Sequence, residues 1–298
     1  MKNSRKTLLA LAFITLVSFS FTTKLVDDYD KEITEWQQNR INELRGARSP
    51  LNLVGYYGLK EGANTFGSGK NNDIIFPDGK IPAYAGTFFL KDGVVTLEVE
   101  KDVPILSKGK KFENSVVYTS SAYTVLEYGS LQWFVHKNSN ELNIRLLDLK
   151  SKSQLAFTGV DRFPVNKDLR LKAKFQPYAP ASTIAITTIY GKTSDRPSAG
   201  LLTFTIDAKE YKFEALGTGA GQKLFIVFSD KTGDKESYRF RFLNTDAPDE
   251  NGFVTLDFNK ATNPNCAFSP IAPCPLPPKQ NVLPIAIEAG EKKYKSEI

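Results

Sequence analysis

Cys266 and Cys274 stand eight positions apart, in a segment that also holds six of the chain's 16 prolines. Such a pair can form a disulfide, ligate a metal or serve as a nucleophile with its resolving thiol. Two thiolates fill only half of a tetrahedral zinc site, and the single His136 leaves no second imidazole to complete one. A structural disulfide is therefore expected, closing a nine-residue loop worth about 2.5 kcal/mol in chain entropy. Just before it, Asp257, Asn259 and Asn263 place oxygen donors at i, i+2 and i+6, and strand alternation would turn Asp257 and Asn259 to one face. Asp230, Tyr238 and Arg241 come from strand ends close by. These six residues are the candidate ligand-binding set, suited to a small polar, anionic or sugar-like ligand or to a calcium-type oxygen site. The same residue types also satisfy backbone groups of a proline-rich loop, with Arg241 pairing Asp257, so a structural reading stands beside the binding one. No cofactor and no metal is expected.

Other motifs are less specific. Gly217-Thr218-Gly219-Ala220-Gly221-Gln222-Lys223 looks like a phosphate loop, but it opens the strand Leu224 to Phe228 rather than a helix whose amides would face a phosphate. His136 ends a strand without any Gly-x-Ser-x-Gly elbow in the chain, and is expected as an ordinary surface or turn residue. Pro270, Pro273, Pro275, Pro277 and Pro278 make a stiff extended segment, expected to be strapped across a sheet.

The elements that must hold these residues are mainly strands. Val95, Leu97 and Val99 alternate after the hairpin signal Lys91-Asp92-Gly93. Leu131, Trp133 and Val135 alternate, and the turn Lys137-Asn138-Ser139-Asn140 leads into Asn143-Ile144-Arg145-Leu146. Leu202, Phe204 and Ile206 turn through Asp207-Ala208 into Tyr211 and Phe213. One helix is predicted, with Asp27, Asp28 and Asp30 at its start, Ile33, Trp36, Ile41 and Leu44 on its inner face, and Gly46 with Pro50 as the stop. Trp36 is expected in the core. The fold class is thus mostly β, with antiparallel sandwich or barrel-like modules and one N-terminal helix. The division expected is 1–23 signal peptide, 24–49 helix, 50–160 first β module and 161–298 second β module.

Lys2, Arg5 and Lys6 followed by the uncharged stretch Leu8 to Phe21 read as an export signal, placing the mature protein in the periplasm or outside the cell. The net charge of +6 includes those three cations, so +3 remains on the mature chain, without a long basic block. Nucleic acid is therefore not an expected partner. No later stretch is apolar enough to span a membrane, and an envelope component is a possible partner alongside a small ligand.

Several segments taken together resemble the bacterial secreted family called domain of unknown function 1684. They are Trp36 with Arg40; Asn64 to Ser68 with Asn72-Asp73-Ile74; Ile144-Arg145 with Asp148; Phe157-Thr158-Gly159; Leu224-Phe225 with Asp230; Arg241-Phe242-Leu243; the Asp257-Phe258-Asn259 and double-cysteine block; and Ala289-Gly290-Glu291. The chain departs from the family pattern at Thr262, Asn265 and Pro273. The family brings no established activity with it. Phe66-Gly67, Asn72 to Phe76 and Gly86 to Leu90 are also similar to the core of forkhead-associated sandwiches. Ser68 and Pro82 stand near the positions where those domains carry phosphate-gripping Arg and Ser, so the likeness implies architecture alone. The expectation is a non-catalytic exported binding or interaction module with its recognition surface near the cysteines. The alternatives are a hydrolase using Asp257 or Asp230 with Glu288 or Glu291 on an envelope substrate, and a structural envelope protein without a ligand.

Overall fold

The computed structural model describes residues 28–138, 141–218 and 221–295. The expected signal peptide lies outside them, as do Ser139, Asn140, Gly219 and Ala220 of the two loops noted above. The chain is mostly β, with three essentially antiparallel sheets and an N-terminal helix, as its alternation predicts.

Helix α1 (Asp28–Arg45) carries Asp28 and Asp30 in its first turn, where they complement the helix dipole. Tyr29, Ile33 and Leu44 are its buried residues. Trp36, expected in the core, is only half-buried. It lies under the Arg162 guanidinium, 5.0 Å from the ring centre, so it serves as a cation platform at the surface of the helix.

Strands β1 (Leu53–Gly58), β2 (Gly62–Gly67), β3 (Ile74–Ile75), β4 (Gly86–Lys91), β5 (Val94–Val99), β6 (Leu106–Ser107), β7 (Lys110–Lys111), β8 (Ser115–Tyr118), β9 (Leu126–Tyr128), β10 (Leu131–Asn138) and β11 (Glu141–Asp148) follow. They form a sheet of order β1-β11-β10-β9-β6-β7 and another of order β3-β2-β4-β5-β8. Positive φ at both Asp92 and Gly93 gives the β4–β5 hairpin a two-residue turn whose twist suits its strands. The inward residues of both sheets, Phe66, Phe88, Val95 and Leu97 against Leu131, Trp133, Val135, Ile144 and Leu146, share one core.

A short helix α2 (Lys152–Leu155) leads towards β12 (Arg170–Thr187), β13 (Thr193–Ile206), β14 (Lys209–Leu216), β15 (Leu224–Phe228), β16 (Arg241–Thr245) and β17 (Phe253–Asp257). These run in the order β16-β15-β14-β13-β12-β17 and curl into a half-barrel around Phe204, Phe213, Phe228 and Phe258. No helix among the described residues is long and apolar enough to cross a membrane.

A third apolar cluster lies between the two bodies. Leu53, Phe134 and Leu147 reach it from the first sheet, and Ile186, Leu216 and Val227 from the half-barrel. Between them lie Cys266, Ala272 and Cys274. The proline-rich strap is thus wedged between two sheets, where a segment lying across one was expected. Ser269 Oγ donates to the Leu53 carbonyl at 3.1 Å on one side. On the other, Ile189 N donates to the Cys274 carbonyl at 3.0 Å and Leu276 N to the Thr187 carbonyl at 2.8 Å. Prolines suit the position because they need fewer backbone partners there.

Candidate functional site

Five of the six candidate ligand residues lie in the interior or at its edge, and most of their polar atoms meet partners within the chain. Among the described residues, however, Arg241 Nε, Asp257 Oδ2 and Asn263 Oδ1 are buried without a hydrogen-bond partner. Arg241 is 0% exposed. Its guanidinium pairs with Asp230 Oδ2 at 2.6 Å and donates to the carbonyls of Ile287, at 2.9 Å, and Ala289. Asp230 Oδ1 takes bonds from the Thr232 amide and hydroxyl. The expected Arg241–Asp257 pair is therefore replaced by Arg241–Asp230. Asp257 Oδ1 instead accepts from the Tyr29 hydroxyl at 2.8 Å and from the backbone and side-chain nitrogens of Asn259, both at 3.1 Å. Burial, and secondarily the Asp257 carboxylate, pushes the Tyr29 phenol well above its ordinary range. Asn259 also clasps the backbone of Asn166, accepting from its amide at 2.8 Å and donating to its carbonyl at 2.7 Å.

Asn263 belongs to a second knot. Its amide and side chain both donate to Glu291 Oε2, at 2.6 and 3.0 Å. Glu291 is fully buried and faces Arg40 at 3.0 Å and Arg162 at 3.8 Å. Gly290 makes this possible: its φ is +80°, and a Cβ there would stand 2.6 Å from the Ala261 carbonyl oxygen. The carboxylates suggested for hydrolysis are thus each engaged locally, apart from Glu288, which is exposed. Among the described residues, no group of three or more His, Cys, Asp or Glu gathers as a metal site would require.

The two cysteines are free buried thiols here, so the expected bridge is not closed in this structure. Cys274 Sγ accepts from the Cys266 amide at 3.0 Å, and the Tyr238 hydroxyl lies 3.7 Å from Cys266 Sγ. The neighbouring Cys274 thiol, helped by Tyr238, draws the Cys266 thiol below its ordinary range. Cys274 is pushed far up, by Cys266 first and by burial second. Tyr238 is raised to about 12, chiefly by burial.

A different group of side chains opens onto space beside this block. Tyr56 of β1, Arg145 of β11 and Phe134 of β10 sit opposite one another across the sheet, on the face turned to the half-barrel. The next row on that face brings His136 opposite Asn143. Tyr56, His136, Asn138 and Arg145, with Asn265, Ala272 and Pro273 of the strap, line a cavity of about 160 Å³. Arg196 of β13 reaches across from the half-barrel to Asn138 Oδ1 at 2.7 Å. Arg48 stacks on Phe134 at 4.1 Å.

Arg145 lines this cavity, Arg196 bonds one of its lining residues, and Arg48 is exposed on the Phe134 ring; among the described residues none of the three has a carboxylate within 4.0 Å. Glu141, the acid near Tyr56, is occupied by Lys192. The Tyr56 hydroxyl is buried without a well-formed hydrogen bond, although the Asn138 side chain is close enough to act on it. Burial lowers the Arg145 pKa, with Arg48 adding to the effect, and burial likewise raises that of Tyr56. His136 is exposed at the end of its strand, and partial desolvation, then Arg145 and Arg196, push it below its ordinary value. The arrangement offers hydrogen donors and positive charge to whatever enters, which is the chemistry that holds an anion.

Residues 155–292 match the model of the family described as protein of unknown function (DUF1684). That part of the chain, residues 155–292, belongs to the family. The match takes in the half-barrel, Arg196 and the strap, whereas Tyr56, His136 and Arg145 lie before it. Among solved structures, an uncharacterized protein of Haloarcula marismortui, determined by solution NMR, is 30% identical to this chain. That match covers 46% of this chain and 77% of the other, with a TM-score of 0.38. No curated protein matches.

None of the cavity residues was a candidate ligand-binding residue in the sequence. Arg145 entered through its strand and the family resemblance, Asn138 as part of a turn, Asn265 and Pro273 as departures from the family pattern, and His136 as a surface or turn residue, which is exposed here. A signal for one of them was present. In Asn143-Ile144-Arg145-Leu146, alternation puts an arginine on the face opposite two core residues, and that face turns out to be covered.

Proposed function

We propose that this is an exported, non-catalytic binding module that takes a small anion in the cavity between its two β bodies, beside the cysteine strap. The observation that carries the reading is Arg145, a half-buried guanidinium that among the described residues has no carboxylate within 4.0 Å, set against a buried Tyr56 hydroxyl without a well-formed hydrogen bond. Desolvating a cation and leaving it unpaired costs free energy, and a bound anion with oxygen acceptors would recover it. The leader-like pattern of Lys2, Arg5, Lys6 and Leu8 to Phe21 supports export. Asp230, Arg241, Asp257, Asn259 and Asn263 act in this reading as the framework that fixes the half-barrel and the strap. Oxidation of Cys266 and Cys274 to a disulfide, two electrons and two protons passing to an external disulfide, would then lock the strap in the compartment the leader implies.

The test is a titration of the full chain with acetate, sulfate and phosphate, followed by nuclear magnetic resonance shifts or calorimetry, beside Arg145→Gln. Saturable binding weakened at least tenfold by the substitution is expected. Absence of binding in the parent, or equal binding by both proteins, would sink the reading.

A further inference from the structure

We infer that the ligand is an amphipathic carboxylate, with its head at Arg145 and its aliphatic body in a second cavity that adjoins the first across Pro273. This rests on the anion site proposed above and adds the class of molecule that would use it. The second cavity measures about 410 Å³, within the range of small-molecule sites. Ile186, Leu216, Phe225 and the strap prolines give it a mainly apolar lining. Pro273 lines both cavities, and Arg196, at the edge of the larger one, is the residue that bonds Asn138 in the smaller. Pro273 and the Arg196–Asn138 bond thus link the linings of the two cavities.

Charge fixes the orientation. The charged residues lining the larger cavity are Arg196 and Lys223, both cations. An anion in the smaller cavity with a carbon chain extending from it would therefore meet favourable charge where the two linings are linked and apolar surface beyond. When the Arg196–Asn138 bond gives way to the chain, Arg196 becomes a second donor to the carboxylate. Inorganic anions would fill the head site alone and leave the larger cavity unused. A neutral chain of the same length would leave Arg145 unpaired.

The experiment uses calorimetry on the full chain with acetate, butyrate, hexanoate and octanoate, with octanol as the neutral chain. Affinity should rise about fourfold per methylene until the cavity is filled, following the transfer free energy of a CH₂ group. Octanoate should bind at least tenfold more tightly than octanol, and Arg145→Gln should remove that preference. Thr188→Trp, at a half-buried position of the larger cavity, should flatten the chain-length series while acetate binding is kept. Phe225→Ala provides a second variant that enlarges the cavity should the first fail to fold. An affinity independent of chain length, yet sensitive to Arg145→Gln, would overturn this inference and leave the anion site standing. Octanol binding as tightly as octanoate, with Arg145→Gln silent, would overturn both, as would no binding by any member of the series.

Discussion

Arg241 and Arg145 are both strand arginines turned away from bulk water, and they have opposite surroundings. Arg241 is fully enclosed, paired with Asp230 and donating to two backbone carbonyls. Arg145 is half-buried, opposite Tyr56 and Phe134 in its sheet and beside His136, Asn138 and Asn265 in the cavity lining, and among the described residues it has no carboxylate within 4.0 Å. In the first case the charge is neutralised by the fold itself, so its work is structural. In the second the fold holds a charge without neutralising it, which is a stability cost that makes sense where a ligand supplies the missing partner. Burial of a polar residue therefore does not distinguish framework from site. What distinguishes them is whether the fold supplies the residue's counter-charge.

Removing one member of the enclosed pair should show this most strongly. Arg241→Ala leaves Asp230 buried and unpaired, and is expected to cost about 3–5 kcal/mol in urea unfolding. A loss below about 1 kcal/mol would place Arg241 in the same category as Arg145 and dissolve the contrast. The strap comes next. Treating the native chain with oxidised glutathione should remove two hydrogens by mass and raise stability by about 2.5 kcal/mol. Cys274→Ser should abolish both effects. If glutathione instead remains attached and no internal bond forms, the strap is not closed by sulfur.

Much of the architecture was legible in the chain. Val95, Leu97 and Val99 alternate in the sequence, and Val95 and Leu97 are buried on β5. Asp92-Gly93 makes the turn before them, and Asp28 and Asp30 open the helix. These are local signals, set by pleat and turn geometry within a few residues. The pairing of polar groups was less legible because it is non-local. Tyr29 meets Asp257 and Arg40 meets Glu291 across more than two hundred positions. Neighbourhood in the chain suggested an Arg241–Asp257 pair, and the fold chose Asp230. The cavity was the least visible feature. Its walls come from β1, β10, β11 and the strap, with Arg196 of β13 bonded to one lining residue; Tyr56 carries no motif and Asn138 was legible only as part of a turn.

Arg145→Gln turns the contrast the other way from Arg241. Because no internal partner is lost, stability should change by no more than about 0.5 kcal/mol, as for an ordinary surface substitution. It should even rise slightly if relief of the unpaired charge dominates. Binding of the carboxylate should fall at least tenfold, or about 1.4 kcal/mol. A large loss of stability in this variant would assign Arg145 to the framework and remove the reason for proposing a site.

The smallest effect expected is a dependence on pH through His136. The charged groups beside it are Arg145 from β11 and Arg196 from β13, with Tyr56 from β1 in the same cavity lining. Its pKa in the folded chain lies below the ordinary value of about 6.5, so the unfolded chain binds more protons in this range. The stability of the empty protein is therefore full above about pH 6.5 and declines as pH falls through that value towards the folded one. A bound carboxylate reverses the preference, because the imidazolium gains a counter-charge that offsets Arg145 and Arg196. Affinity should thus strengthen as pH falls below about 6.5, by at most tenfold per unit for a single proton. Calorimetry with octanoate between about pH 5.5 and 7.5 tests the point. His136→Gln should flatten both trends, and a pH slope that survives that substitution would show that another group controls the cavity's charge.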